Sequence, residues 1–260
     1  MRQLVLLKDI PDLNEITINS ETRRPKTTGI KTKISDLDKR ALEAAIQAKG
    51  KIGGEVVVLS MGDDNTKKAL LEALAMGADG AYIINEEGVK GVDTNATSRV
   101  LEAAIREIAD YDVIISGEMT LDSLSSQIGP RLAELLDHPQ VTYVKEYELS
   151  EGSVKAVRDL DSFEEVVEAP LPAIVTVVRE INEPRIPSLM NIMKAKKKPQ
   201  TIWTLSDLGL SLEEVQSMSY VKIKDVTAPE MTRKQVKIEA DTIEEAAVKL
   251  AAAIKEEGVL

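Results

Sequence analysis

The feature that most constrains this chain is an alternation between two kinds of apolar pattern. Short apolar runs at residues 4–7, 55–60, 81–84, 112–116 and 173–178 have the length and branched side chains of buried strands. Between the first four lie segments of helical period, near residues 36–49, 65–76 and 95–108, and a further one runs from about 123 to 136. In the third of these, Ala96, Val100, Leu101, Ala104, Ile105 and Ile108 form one continuous stripe. Gly77 stands where the second should close on a left-handed cap. Pro130 falls about two turns into the fourth, where it should kink the helix or interrupt its hydrogen bonds. Strands alternating with helices predict an α/β fold, with a mostly parallel sheet covered by helices on both faces.

After Leu136 the pattern changes. Residues 141–149, 153–158 and 164–168 read as extended strands, with a turn at Glu151-Gly152, and predict a short antiparallel extension of the sheet. The polar segment 14–34 allows a strand excursion after the first strand. Beyond Arg185 regular alternation stops: Pro184, Pro187 and Pro199 bracket a run of lysines, followed by Trp203. A last helix, about 243–256, carries Ile243, Ala246, Ala247, Leu250, Ala251 and Ile254 on one face. So long an irregular stretch is uncommon inside one compact domain, and a tail that wraps another chain explains it better. The expected division is an α/β domain over residues 1–185 and an extended C-terminal arm over 186–260.

Composition removes whole classes of chemistry. The 260 residues contain no cysteine, which excludes disulfides, thiolate metal sites, cysteine-held iron–sulfur clusters and cysteine nucleophiles. His138 is the single histidine; it follows a helical pattern, where a cation suits the helix dipole, and nothing around it resembles a nucleophile elbow. No catalytic residue and no metal ligand set is expected. A formal net charge of −11 argues against broad nucleic-acid binding, although Lys194, Lys196, Lys197 and Lys198 make a local basic cluster, solvated or docking. No run of about 18 apolar residues offers a membrane span. The start of the chain, with a short apolar run followed by Lys8 and Asp9, does not resemble a signal peptide, so a cytoplasmic location is expected.

In an open parallel sheet, ligands bind beyond the carboxyl ends of the strands, near the switch in strand order. Residues 6–9, 35–38, 60–62 and 116–128 should meet there. The last of these, from Ser116-Gly117 to Ser125-Ser126-Gln127-Ile128, follows a strand and leads into a helix. Gly117 permits close backbone approach, and Ser123, Ser125 and Ser126 carry hydroxyls where a helix start favours phosphate. It is neither a Walker loop nor a Gly-x-Gly-x-x-Gly turn, and serines that merely cap a helix are the plain alternative. A second polar segment is Gly91-Val92-Asp93-Thr94-Asn95-Ala96-Thr97-Ser98. Asp93 or Thr94 is a natural N-cap; the alternative use is that Thr94 and Thr97 present hydroxyls to a polar ligand edge.

Residues 171–199, containing Asn182-Glu183-Pro184-Arg185 and ending Lys194-Ala195-Lys196-Lys197-Lys198-Pro199, closely resemble the beta-subunit signature of electron-transfer flavoproteins. Ala73-Leu74-Ala75-Met76-Gly77-Ala78-Asp79 and Gln127-Ile128-Gly129-Pro130-Arg131-Leu132-Ala133-Glu134-Leu135-Leu136 are similar to two further family segments, in the family's order. The resemblance implies a Rossmann-like fold that binds AMP, or FAD in the electron-bifurcating branch, and works only with an alpha subunit. It places nucleotide contacts at Leu6, Lys8, Ser35, Asp36, Asp38, Met61, Gly117, Asp122, Ser123, Ser126, Gln127 and Ile128. It makes the loop around Leu189, with Ile192 and Lys194, a docking element for a partner dehydrogenase or quinone oxidoreductase, and the C-terminal arm a surface for the alpha subunit. Two departures stand out. Ser162-Phe163 follows Arg158-Asp159-Leu160-Asp161 where a glycine pair is usual, and Leu13 and Leu37 stand where AMP-type members often carry aromatic residues.

Asp93-Thr94-Asn95-Ala96-Thr97 resembles the Asp-Thr-x-Ala-Thr of the bifurcating branch, which implies FAD, with Thr94 and Thr97 on the polar edge of its ring. The helix dipole there would favour a reduced, anionic flavin. On that reading NADH is the hydride donor, and electrons pass to the alpha-subunit FAD and to a low-potential acceptor, with activity only in the complex. AMP and a simple electron shuttle form the alternative. A non-redox, nucleotide-binding regulatory module of the same fold is a third reading, because fold alone does not fix function.

Overall fold

The computed structural model describes residues 1–230 and 233–258. The chain opens with β1 (Arg2–Leu6), then the short strands β2 (Asp9–Pro11), β3 (Thr17–Ile18), β4 (Pro25–Lys26) and β5 (Thr32–Ile34). These four form two small antiparallel pairs, β2 with β5 and β3 with β4, which is the excursion that the polar segment allowed. There follow α1 (Asp36–Ile52), β6 (Glu55–Gly62), α2 (Asp64–Met76), β7 (Gly80–Asn85), α3 (Thr94–Ile108), β8 (Val113–Gly117) and α4 (Ile128–Leu136). The second half comprises β9 (Gln140–Ser150), β10 (Ser153–Leu160), β11 (Phe163–Pro170), β12 (Ala173–Val177), α5 (Leu189–Ala195), β13 (Gln200–Trp203), α6 (Leu212–Ser217) and α7 (Ile243–Glu256).

Nine strands form one sheet in the order β11-β10-β9-β12-β8-β1-β6-β7-β13. From β9 to β13 every neighbour is parallel, and β10 and β11 extend the sheet antiparallel at one edge. The centre runs parallel because its strands are apolar on both faces. Leu4, Val5, Val58, Leu59, Ile114 and Ile115 are fully buried, each contributing about 1.5–3 kcal/mol of transfer free energy. One face is covered by α1 and α2, through Ala41, Leu42, Leu70 and Leu74; the other is covered by α3 and α4, through Val100, Ile105 and Leu132. The chain runs from β1 outward to β6 and β7, then returns across β1 to β8 on its other side. The switch in strand order therefore lies between β1 and β8.

Local sequence accounts for the helix ends. Asp63 and Thr66 form a reciprocal capping box at the start of α2, and Gly77 closes that helix with φ +146°. The helix expected from about 123 begins only at Ile128. Leu124 and Ser126 take left-handed backbone (φ 50° and 51°), so residues 123–127 cannot continue a helix. Pro130 consequently lies in the first turn of α4, not two turns in, where its missing N–H breaks no helical hydrogen bond.

The sheet also takes in residues that the sequence reading assigns to the arm. β13 pairs in parallel with β7, Trp203 stacks on Tyr82 with centroids 5.2 Å apart, and Leu205 and Val215 are buried in the core beside α3. Lys198 leaves the basic cluster: its Nζ donates to the carbonyls of Leu74 and Ala78 at the end of α2, at 2.8 and 2.5 Å. The signature residues Asn182 and Arg185 pin the chain to α1. Arg185 forms a two-pronged ion pair with buried Glu43 (2.7 and 2.9 Å), and Asn182 donates to the Arg40 carbonyl at 3.0 Å. Between α6 and α7 the described residues form no helix or strand, and α7 buries none of its side chains. Among the described residues no helix is long and apolar enough to cross a membrane.

Candidate functional site

The carboxyl ends of β1, β6 and β8 open into one cavity of about 1070 Å³. Leu6, Lys8, Asp38, Met61, Thr94, Thr97, Gly117, Asp122, Ser123, Ser126, Gln127 and Ile128 all line it, although they come from five separate stretches of chain. The sheet supplies the floor, the loop 118–127 and the start of α4 one wall, and the start of α3 another. Two expected residues do not reach the cavity. Ser35, at the N-cap position of α1, is buried with its hydroxyl unpartnered, and Asp36 turns outward to Lys33 at 3.3 Å. Residues two apart on a helix point to nearly opposite faces, so Asp38 is directed into the sheet end and Asp36 away from it.

Asp38 ties the switch point together. Its carboxylate accepts the backbone N–H of Lys8 at 2.9 Å and of Gly117 at 3.1 Å, so one buried side chain joins the ends of β1 and β8. Burial pushes this carboxyl up to about 7, against the two N–H groups and the nearby Lys8, which favour its charge. Gly117 is required by contact, not by φ: a Cβ there would lie 2.8 Å from Leu37 Cβ and 2.9 Å from its carbonyl carbon. Leu37, one of the two positions where AMP-type members are expected to carry an aromatic residue, is thus buried against Gly117 and does not line the cavity.

The wall formed by residues 118–127 bears ordered hydroxyls. Thr120 and Ser123 share a hydrogen bond of 3.0 Å, and Ser126 donates to Glu118 at 3.2 Å. Leu124 and Ser126 together hold about 2–4 kcal/mol of left-handed strain, with no glycine or asparagine to announce it in the sequence. Helix α4 has no side-chain cap at Gln127, so the serines are not its N-caps, and its uncapped first turn lies at the cavity. Charges are distributed unevenly. Lys8 pairs with Asp122 at 2.7 Å and Lys90 with Asp63, whereas Arg131 contacts neutral oxygens, Gln127 Oε1 at 3.0 Å and Asn95 Oδ1 at 3.3 Å. Arg131 is not among the expected site residues, although it lies within the family-like segment 127–136 and one turn after Gln127.

The start of α3 is built differently. Asp93 is the N-cap, accepting the N–H of Asn95 and Ala96 at 3.0 Å each, which decides between the two capping candidates. Thr94 Oγ1 donates to Gln127 Oε1 at 2.7 Å and so links α3 to α4 across the cavity. Uncapped helix N–H groups, an Arg with no carboxylate partner among the described residues, a glycine-lined floor and hydroxyls at both ends make a donor set that fits a phosphate-bearing ligand with a second polar edge. Among the described residues no cluster of side chains suits a metal ion.

The residues expected to face a partner lie elsewhere. On α5, Leu189, Met190 and Met193 are 82%, 62% and 73% exposed, Ile192 is exposed, and Lys194 lies in the last turn. Comparison with known proteins agrees with the α/β sheet. The family model described as Electron transfer flavoprotein domain matches residues 26–208. The chain is 40% identical over 216 residues to the electron transfer flavoprotein subunit beta of Thermoanaerobacterium thermosaccharolyticum, covering 83% of each chain. It is 38% identical over 214 residues to the caffeyl-CoA reductase-Etf complex subunit CarD of Acetobacterium woodii, covering 82% of each. To the electron transfer flavoprotein subunit beta of Clostridium acetobutylicum it is 34% identical over 258 residues, covering 99% of each. A mostly parallel sheet, a family model that matches residues 26–208 and identity along nearly the whole length agree: the chain belongs to the electron transfer flavoprotein family, among its beta subunits.

Proposed function

We propose that the cavity holds FAD and that this chain works with an alpha subunit as a bifurcating electron-transfer flavoprotein that takes its electrons from NADH. The observation that carries this is the extent of the cavity. About 1070 Å³ runs without interruption from the ends of β1, β6 and β8 to Thr94 and Thr97, at or above the upper end of the roughly 300–1,000 Å³ that small-molecule pockets take. A mononucleotide at the strand ends would leave the α3 end of this space unfilled.

Leu6, Met61, Gly117, Ser123, Ser126, Gln127 and Ile128 would hold the adenosine phosphate portion, with Lys8 and Asp122 at its rim. Thr94 and Thr97 would hold the polar edge of the ring. When bound, FAD supplies the redox chemistry, and the chain supplies position and field. The positive end of α3 and the Arg131 guanidinium stabilise negative charge at the ring edge, while the apolar floor of Leu6, Leu59 and Leu101 excludes water. Uncovered apolar side chains on α7, among them Ile243, Val248 and Leu250, give the arm a face for the alpha subunit. Leu189, Ile192 and Lys194 on α5 give a separate face for a dehydrogenase or quinone oxidoreductase.

The test is the nucleotide content of the co-purified alpha–beta complex after denaturing release and chromatography. A second FAD per heterodimer, lost in the Thr94→Ala, Thr97→Ala double variant, is the expected result. One FAD and one AMP would overturn the proposal and leave a structural nucleotide in a simple shuttle.

A further inference from the structure

Asp93 does more than cap α3. A cap needs one carboxylate oxygen, and Oδ1 serves it. Oδ2 accepts the backbone N–H of Tyr220 at 2.8 Å and of Val221 at 2.9 Å. Two further bonds bring the same stretch of arm to the same helix end: the Asp93 N–H donates to Ser219 Oγ at 2.9 Å, and Asn95 Nδ2 donates to the Met218 carbonyl at 2.9 Å. Burial tends to raise the Asp93 carboxyl, but the four N–H donors outweigh it and hold it below the ordinary carboxylate range. The arm is anchored again farther on, where the Ala228 N–H donates to the Arg23 carbonyl at 2.8 Å and Arg24 pairs with Asp225 at 2.9 Å.

Between these anchors the arm crosses the mouth of the cavity, and Tyr220, Val221 and Ile223 line it. These residues are 79%, 67% and 80% exposed, an apolar strip left uncovered by the described residues beside a space shaped for a ligand. We infer that the arm is a part of the nucleotide site: Tyr220, Val221 and Ile223 form the outer wall over the planar heteroaromatic ring of the bound dinucleotide, and Asp93 is the residue that positions them. The inference rests on the FAD reading above, because only a ligand that extends to α3 reaches this wall. It assigns the aspartate of the Asp-Thr-x-Ala-Thr segment a role distinct from that of its two threonines. The threonines meet the edge of the ring, and the aspartate holds the wall that meets its face.

The experiment uses the co-expressed alpha–beta complex, with its own FAD as the probe. Asp93→Asn separates the two uses of the side chain, because Asn caps a helix as well as Asp does, while its amide NH₂ would turn against the N–H of Tyr220 and Val221. Tyr220→Ser with Ile223→Ser removes the wall and leaves Asp93 and the core untouched. In both variants dissociation of FAD from the beta site accelerates by about tenfold or more, the scale of one charge-assisted hydrogen bond, and the absorption band of the bound flavin shifts. A purely structural role for Asp93 would lower the melting temperature and leave that band in place. The FAD count of the unaltered complex tests the underlying reading separately: one FAD with one AMP overturns both. A second FAD that leaves the variants at the unaltered rate and with the unaltered spectrum overturns the inference alone.

Discussion

Replacing Gly117 by Ala should be among the most damaging single-methyl additions in the chain. The added Cβ would stand 2.8 Å from Leu37 Cβ, 2.9 Å from the Leu37 carbonyl carbon and 2.8 Å from Asp38 Oδ1. Two of these atoms are fixed by the first turn of α1 and cannot swing aside, so the helix start must withdraw by about half an ångström from a closely packed interior. Overpacking of this kind costs about 1–3 kcal/mol. The withdrawal also stretches the 3.1 Å hydrogen bond from the Gly117 N–H to Asp38, worth about 1.5–3 kcal/mol when measured above pH about 7, where that carboxyl is charged. A combined loss of about 3–5 kcal/mol is a large share of an ordinary folding free energy, and it should lower the melting temperature of the alpha–beta complex by roughly 6–20 °C. Gly50→Ala provides the control. That position lies within α1 with nothing near its added methyl, and the change should stabilise by about 0.5–1 kcal/mol. A Gly117→Ala complex that melts within about 2 °C of the unaltered one would refute the claim that α1 is clamped to the end of β8.

Two further outcomes follow from contacts described above. Pro130→Ala should change stability by no more than about 1 kcal/mol in chemical denaturation, because the proline sits in the first turn of α4; a gain of about 3 kcal/mol would mean that it interrupts a helix interior. Arg185→Met should cost about 2 kcal/mol at neutral pH, discounted for a guanidinium that is half exposed. Burial raises the Glu43 carboxyl, but the hydrogen bonds from Arg185 and Gln47 outweigh it and hold the group below its ordinary value. Glu43 therefore adds stability above its unfolded-state pKa, and that stability is lost as pH falls through the lower, folded value. The difference between the two proteins should shrink on acidification, and a gap independent of pH from 7 to 3 would count against the ion pair.

Most of the sheet could be read directly, because its central strands are apolar on both faces and its helices carry clean stripes. The misreadings have local causes. β13 escaped notice because Gln200-Thr201-Ile202-Trp203 is a short edge strand preceded by Pro199, and Gln200, Thr201 and Ile202 are exposed. The start of α4 was placed too early because Leu121 and Leu124 mimic helical spacing, while the two left-handed residues that forbid a helix are a leucine and a serine. The loops of the site could be named in advance, since topology dictates where strand ends meet. Individual roles could not. Asp38 looks like an ordinary first-turn acid until the N–H groups of Lys8 and Gly117 are brought to it from opposite sides of the chain. The second oxygen of Asp93 answers to residues 127 and 128 positions away, a partnership that no local pattern encodes.

The placement of β1 bears on how the chain can be made. Leu4 pairs with Val57 on one side and with Ile114 on the other, so the earliest of the sheet's strands in the chain lies in its interior, and its second neighbour comes from far along the chain. Contacts of such long sequence separation form slowly, and an apolar strand waiting for its partners is prone to pair with the wrong ones. During translation β1, α1 and β6 can assemble one flank, but the opposite edge of β1 stays open until β8 has left the ribosome. Ribosome-bound chains truncated shortly before Val113 should therefore engage chaperones or aggregate, whereas chains extended past Val177, with β12 in place beside β8, should resist proteolysis.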